Sequence, residues 1–273
     1  MNRRVVVPVA LTVAGSDSGG GAGVQADLKT FAALGVHGAS VITCVTAQNP
    51  REVIGIHAVP AQIVKLQLEA VFDELPPAAA KTGMLYSAEI IRVVARFFQG
   101  MRRRTPLVVD PVMVATSGAA LAQRAAVRAL KELLLPIATV VTPNLHEAEV
   151  LSGKSIRTAH EMCAVARELQ AEFGCAVVVK GGHLEHPRYV LNCLADGRGC
   201  KMFRAARVTG VSTHGTGCMF SAAVAARLAR GDALDSAVRE ATRFVSRAIA
   251  ESRFFGRAGK HSVLNAFWAR PSW

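Results

Sequence analysis

Thr213-His214-Gly215-Thr216-Gly217-Cys218, running straight into Met219-Phe220-Ser221-Ala222-Ala223-Val224, is a glycine-rich turn that opens an apolar helix. Its two glycines let backbone amides turn inward where the helix begins, so free N–H groups and the positive end of the helix dipole face one point. The stretch therefore reads as an anion hole built from Gly215, Thr216 and Gly217, with the Cys218 thiol at its rim. A helix that ends on glycine and restarts is the plainer alternative.

A second turn of the same kind sits near the start of the chain: Gly15-Ser16-Asp17-Ser18-Gly19-Gly20-Gly21-Ala22-Gly23, after the β-branched run Val5 to Val13 and before Val24-Gln25-Ala26-Asp27-Leu28. So many glycines cost backbone entropy that a simple connector would not need, which points to close approach of a ligand. Dinucleotide binding is the rival, because Gly21-Ala22-Gly23-Val24-Gln25-Ala26 matches the loose G-x-G-x-x-A form. That fingerprint expects an acidic residue about 20 positions on; none occurs between Asp27 and Glu52. The P-loop pattern is absent.

Between these two turns, β-rich runs alternate with helical periods. Strands are expected at 5–13, 39–46, 79–84, 106–110, 138–142 and 176–180, and amphipathic helices at 24–34, 60–74, 88–98, 120–134 and 158–173. After residue 180 a hairpin is expected from 188–194 and 201–206 around Asp196-Gly197-Arg198-Gly199, followed by helices at 217–229 and 232–253. The alternation predicts an α/β protein of three layers, with a mostly parallel sheet covered by helices on both faces. No proline-, glycine- or serine-rich linker divides residues 1–273, so one domain is expected.

The 273 residues are 51% hydrophobic and carry a net charge of +12. Residues 201–273 hold 12 Lys/Arg against 4 Asp/Glu, so +8 lies there, much of it on Arg227, Arg230, Arg239, Arg243, Arg247, Arg253 and Arg257. A basic face can meet nucleic acid. These arginines lack aromatic interleaving or a DNA-binding motif, so a solvated helix surface is the reading and no nucleic-acid partner is expected. Arg3-Arg4 followed by Val5 to Ala14 imitates a secretory signal, but cleavage near Ala14 would sever a strand from the glycine turn it delivers. No apolar run approaches the roughly 18 residues that span a bilayer. The six cysteines are scattered without metal-ligand spacing and read as reduced thiols of a cytoplasmic protein, most of them small buried hydrophobes.

Ligands of such sheets bind beyond the carboxyl ends of the strands, and the informative polar residues fall there. Asp110 ends Leu107-Val108-Val109, Asn144 follows Val140-Val141-Thr142-Pro143, and Lys180 ends Val177-Val178-Val179. Asn144 and Glu147, three apart on an opening helix, suit a hard cation such as Mg²⁺ held by few protein oxygens; a capping box gives the same spacing. Lys180-Gly181-Gly182-His183 sets a cation beside accessible backbone, which suits phosphate.

In this order the elements describe a phosphoryl-transfer site without a P-loop, and they resemble the ribokinase-like superfamily. More narrowly, Ala14–Asp27, Thr46-Ala47-Gln48-Asn49, Lys81-Thr82-Gly83-Met84-Leu85, Asp110-Pro111-Val112-Met113-Val114-Ala115, Thr142-Pro143-Asn144, Lys180–His183 and Thr213–Cys218 resemble the hydroxymethylpyrimidine/phosphomethylpyrimidine kinases of thiamin biosynthesis, over about residues 10–230. The resemblance implies a ribokinase-like fold and an ATP- and Mg²⁺-dependent kinase, expected as a homodimer. A kinase of this family is expected to act on the hydroxymethyl group of 4-amino-5-hydroxymethyl-2-methylpyrimidine and then on the monophosphate. By matching positions it implies Gly15, Asp27, Gln48, Met84 and Val112 around the pyrimidine; Asn144, Lys180, Gly182 and Thr213 on the nucleotide; Asp110 and Glu147 for the metal; and Cys218 as base where most of the superfamily has Asp. Two departures, Thr116 where the family often has Lys and Arg257-Ala258-Gly259-Lys260 in place of a Gly/His-rich tail, bear on the second phosphorylation. Pyridoxal kinase of the same branch and a non-catalytic pyrimidine sensor are the alternatives.

Overall fold

The computed structural model describes residues 6–102, 104–113, 124–182, 184 and 188–268. Nine strands form one sheet in the order β3-β2-β1-β4-β5-β6-β7-β8-β9. They are β1 (Val9–Asp17), β2 (His37–Gln48), β3 (Val53–Ala58), β4 (Ala79–Thr82), β5 (Leu107–Val109), β6 (Val140–Val141), β7 (Ala176–Gly181), β8 (Tyr189–Asp196) and β9 (Gly199–Ala206). The six strands from β2 to β7 in that order run parallel. Antiparallel strands flank them, β3 on one side and the β8/β9 hairpin on the other.

The helices are α1 (Gly23–Ala33), α2 (Ala61–Glu74), α3 (Ala88–Gln99), α4 (Arg124–Ala129), α5 (Leu145–Ser152), α6 (Ala159–Phe173), α7 (Thr216–Ala229) and α8 (Leu234–Ala250). The three-layer expectation holds residue by residue, because successive strand side chains point to opposite faces. Leu11, Val13, Val109, Val141, Val177 and Val179 pack under α2 to α6. Their strand neighbours Ala10, Val108, Val140 and Val178 pack under α1, α7 and α8. Burial of one such valine contributes about 1.5–3 kcal/mol, so both faces need cover, and the uninterrupted β-branched runs follow.

Several boundaries differ from the sequence reading. β1 starts later, at Val9, and runs on to Asp17, so the first part of the glycine turn is itself strand, with an irregular register between Ala14 and Ser16. β3 was not anticipated: it is short, none of its residues is fully buried, and it contains Gly55. The helix expected at 120–134 lies partly outside the described residues. Its described part is α4, a π-helical turn at Leu130–Leu134 and a 3₁₀ turn at Leu135–Ile137. Pro136 supplies no amide and cannot continue an α-helical ladder. At the end of the chain, β10 (Arg253–Phe255) and β11 (His261–Val263) form a small hairpin around a 3₁₀ turn at Arg257–Gly259. Thr116 and His183 lie outside the described residues. Among the described residues no helix is long and apolar enough to cross a membrane.

Candidate active site

The carboxyl ends of β1, β4, β5 and β7 converge with the first turn of α7, and the two glycine turns meet above them. A Cβ at Gly215, whose φ is +83°, would collide with the carbonyl oxygen of Gly21. Only glycine fits there, on both conformational and steric grounds. His214 lies next to this contact, its Nε2 3.6 Å from Asp17 Oδ2. Asp17, at the end of β1, also organises its own loop: Oδ1 accepts the Gly19 amide at 2.8 Å, and Oδ2 accepts the Gly21 and Ala22 amides at 3.0 and 2.8 Å. Burial works against the charge of Asp17, but His214 and the Ala22 and Gly19 amides outweigh it and hold the carboxyl below its ordinary value.

This makes a stability prediction with a definite sign. A depressed folded value means that Asp17 contributes at neutral pH and loses its contribution as pH falls through that value. Asp17→Ala leaves three amides without their acceptor and should cost about 1–3 kcal/mol in urea unfolding at pH 7. Asp17→Asn should remove this residue's share of the acid-side loss of stability. An unchanged acid limb in Asp17→Asn would show that the carboxylate does not hold the loop.

Beneath the two turns is a cavity of about 100 Å³ lined by Gly15, Asp17, Gln48, Lys81, Met84, Val112, His214 and Cys218, among others. A larger cavity of about 560 Å³ lies elsewhere, beside Arg204, Arg247 and Trp268, and none of the expected site residues borders it. The small cavity brings together four of the five residues expected around the pyrimidine. Asp27 is the exception, and this corrects the sequence reading. It is fully buried, one layer behind the cavity, with Oδ2 accepting Thr12 Oγ1 at 2.7 Å and Lys81 Nζ at 2.9 Å. Its other carboxylate oxygen has no hydrogen-bond partner among the described residues. Lys81 faces the cavity in its stead, an ammonium with no exposed side-chain surface. Burial works against the charge of Lys81, yet Asp27, Cys218 and Asp110 more than compensate and hold it above its ordinary value.

Cys218, in the first turn of α7, borders the same cavity. A helix N-terminus ordinarily lowers a thiol, but here burial pushes Cys218 up to about 11, with Lys81 pulling in the opposite direction and Asp27 and Asp110 adding to the rise. A helix start leaves its first amides without partners along the helix. That of Thr216 donates instead to Thr213 O at 3.2 Å. Thr213 is exposed, and its carbonyl also accepts the Thr216 hydroxyl at 2.9 Å.

Next to α7 stands a second group. Lys180 Nζ donates to Asp110 Oδ1 at 2.7 Å. A Cβ at Gly217 would lie 3.2 Å from this ammonium, so glycine leaves the lysine room beside the helix terminus. Ser221, one turn further along α7, places its hydroxyl 3.2 Å from Asp110 Oδ2. Lys180 is held above its ordinary value, because Asp110 and Glu147 together outweigh the burial that would discharge it. Asn144 and Glu147 form a capping box at the start of α5: Asn144 Oδ1 accepts the Glu147 amide at 2.9 Å and Glu147 Oε2 the Asn144 amide at 2.7 Å. The spacing therefore has its capping explanation, but Glu147 is also buried and faces charged neighbours. Burial pushes it up to about 7, Asp110 adds to the rise, and Lys180 and the amides of Asn144 and Met113 restrain it. Gly182 has open space where a side chain would be, and its carbonyl accepts Arg207 Nη1 at 3.1 Å.

Asp17, His214, Lys81 and Ser221 are the members that sequence reasoning missed. Lys81 had a legible signal: a lysine inside Ala78-Ala79-Ala80-Lys81-Thr82 ends a strand with no polar neighbour before it. Its partner, 54 residues away, was not legible.

A parallel sheet covered on both faces, with a strand-end lysine and a glycine-opened helix over one crevice, is the arrangement of the ribokinase-like kinases. A fold neighbour, the ADP complex of Bacillus subtilis pyridoxal kinase, superposes with a TM-score of 0.86 at 35% identity, covering 96% of this chain and 98% of that one. The chain belongs to the phosphomethylpyrimidine kinase family, whose profile matches residues 17–263. It is 47% identical to the hydroxymethylpyrimidine/phosphomethylpyrimidine kinase of Haemophilus influenzae over 95% of this chain and 96% of that protein. Identity to a thiamine biosynthesis bifunctional protein of Geobacter sulfurreducens is 49% over 97% of this chain, which spans 54% of that protein's length.

Proposed function

We propose that this protein transfers the γ-phosphoryl group of ATP to the hydroxymethyl oxygen of 4-amino-5-hydroxymethyl-2-methylpyrimidine and then phosphorylates the monophosphate, supplying the diphosphate for thiamin biosynthesis. The observation that carries this reading is that the ring-sized cavity and the start of α7 share one residue, Cys218. A substrate hydroxyl in the cavity is thereby set against the place where a transferring phosphate would be held. Gly15, Gln48, Met84 and Val112 border the ring, with the Lys81 ammonium available to an acceptor atom on it. Lys180 and the amides of Gly215 and Gly217 suit the charge that develops on the phosphoryl oxygens, where fixed donors act most strongly; the Thr216 amide is already given to Thr213 O. Asn144, Gly182 and Thr213 border the nucleotide side. In a loose transition state the hydroxyl proton leaves late, and Cys218 is the group placed to receive it.

Asp110 and Glu147 fit Mg²⁺ in kind, being buried oxygen donors beside a phosphate-binding lysine. The ion would supply positive charge to offset that of the phosphates. What these residues themselves do is hold Lys180 charged and in place. Glu147→Gln keeps the size of the side chain but removes its charge. It should raise the Mg²⁺ concentration needed for half-maximal turnover several-fold; an unmoved Mg²⁺ requirement would leave the capping box as its whole role.

The reading itself is tested by ADP release with hydroxymethylpyrimidine, its monophosphate and pyridoxal in parallel. Turnover on both pyrimidines is expected. Turnover on pyridoxal alone would favour the second reading, which the likeness to a pyridoxal kinase keeps in view. No turnover on any of them would favour a pyrimidine sensor. A homodimer in the cytoplasm is part of the same proposal, and sedimentation of the purified chain tests its first half.

A further inference from the structure

Away from the crevice, three cysteines far apart in the chain come together. Cys163 lies on α6, Cys193 on β8 and Cys200 on β9. On the antiparallel pair β8/β9, Cys193 stands opposite Met202 and Cys200 opposite Ala195. The two cysteines are thus diagonal neighbours on one face, and Cys163 closes over them from the helix. Sγ of Cys193 is 3.3 Å from that of Cys163 and 3.6 Å from that of Cys200, and all three sulfurs lie within 4.8 Å of one another. All are free thiols. Cys193 is buried, whereas Cys163 and Cys200 are half-buried at the edge of the core and leave a way in from solvent.

An all-sulfur donor set selects soft ions and rejects the oxygen-seeking Mg²⁺. Structural zinc takes four ligands, with Zn–S near 2.3 Å and hence sulfurs about 3.8 Å apart. Here, among the described residues, no fourth His, Cys, Asp or Glu joins the group. Two of the sulfur separations are also shorter than a tetrahedral ion requires. Charge decides further. Three thiolates leave a net charge of −1 with a divalent ion and −2 with a monovalent one, and an uncompensated buried charge costs several kcal/mol. A trivalent centre leaves none.

We propose that Cys163, Cys193 and Cys200 form a binding site for a trivalent thiophilic ion of the arsenite type, held pyramidally by three sulfurs. Binding is a ligand exchange without redox change. Three S–H and three As–O bonds break, three As–S bonds form, and each thiol proton leaves with a hydroxide as water.

The test uses the reduced full-length chain under anaerobic conditions, titrated with arsenite and read by the near-ultraviolet As–S absorption, by mass and by the count of thiols still open to a thiol reagent. One arsenic per chain is expected, with three of the six thiols protected. Cys163→Ser and Cys200→Ser, both at half-buried positions, should each weaken binding about a hundredfold through loss of one tethered ligand. Cys175→Ala, outside the group, should not. Protection of only two thiols, unchanged affinity in Cys163→Ser, or tighter binding of Zn²⁺ than of arsenite would each overturn the proposal. So would a count of four thiols in the chain denatured without reductant, with Cys163, Cys193 or Cys200 among the missing pair, which would mean that the group closes as a disulfide.

Discussion

Cys218→Ala is expected to lower turnover about 10²-fold, the lower end of what a positioned general base contributes, with substrate affinity nearly unchanged. The lower end is chosen because the thiol is held near 11 by burial, so little thiolate is present at neutral pH. The same fact supplies the stronger check. If thiolate is the acceptor, turnover of the unaltered protein rises with pH from neutrality towards 11, and this rise disappears in Cys218→Ala. Cys218→Asp, which is ionised throughout that range, should recover part of the activity with a flat profile. A variant lacking the thiol that keeps the rising profile would assign the proton to another group and leave the helix terminus and Lys180 as the working parts.

The second large effect concerns the pair behind the cavity. Asp27→Ala strands the Lys81 ammonium in a fully buried position, and breaking a buried pair from one side costs about 3–5 kcal/mol. Loss of stability in urea unfolding should therefore accompany loss of activity. The double variant Asp27→Leu with Lys81→Met removes both charges and should recover much of the stability, since apolar replacement of a buried pair is often neutral or better. It should not recover activity, because Lys81 borders the cavity. Recovery of both would demote Lys81 to a structural role. A stable Asp27→Ala chain with weakened pyrimidine binding would restore direct contact between Asp27 and the ring.

How much of this was legible follows the range of the interactions. The layers were readable because β-branched runs such as Ala176-Val177-Val178-Val179 record burial on both faces within a few residues. Strand-end Asp110 and Lys180 were readable as separate signals, and the structure adds that they bind one another across 70 residues. Asp27 was misplaced because sequence gives its position on α1 but not the depth of the face it occupies, and Lys81 had been passed over as its partner. For Cys218, the helix terminus was visible and the burial opposing it was not; desolvation depends on every neighbour at once. The cysteine trio was invisible for the same reason: separations of 30 and 7 residues match no local ligand pattern, and only the pairing of β8 with β9 and the docking of α6 give them a common face.

The contact of Gly215 with the Gly21 carbonyl bears on how this catalyst can change. Loop 17–23 borders the cavity proposed for the acceptor, whereas loop 213–217 leads into α7, whose first turn is proposed to hold the phosphate, yet the two abut at one glycine and share the Asp17–His214 pair. Substitutions that reshape the first loop to admit another acceptor therefore press on the second, and altered selectivity comes with altered phosphoryl transfer. An engineer seeking a new acceptor has more freedom at Gln48 and Met84, which border the same cavity from β2 and from the segment after β4 without touching the shared glycine contact.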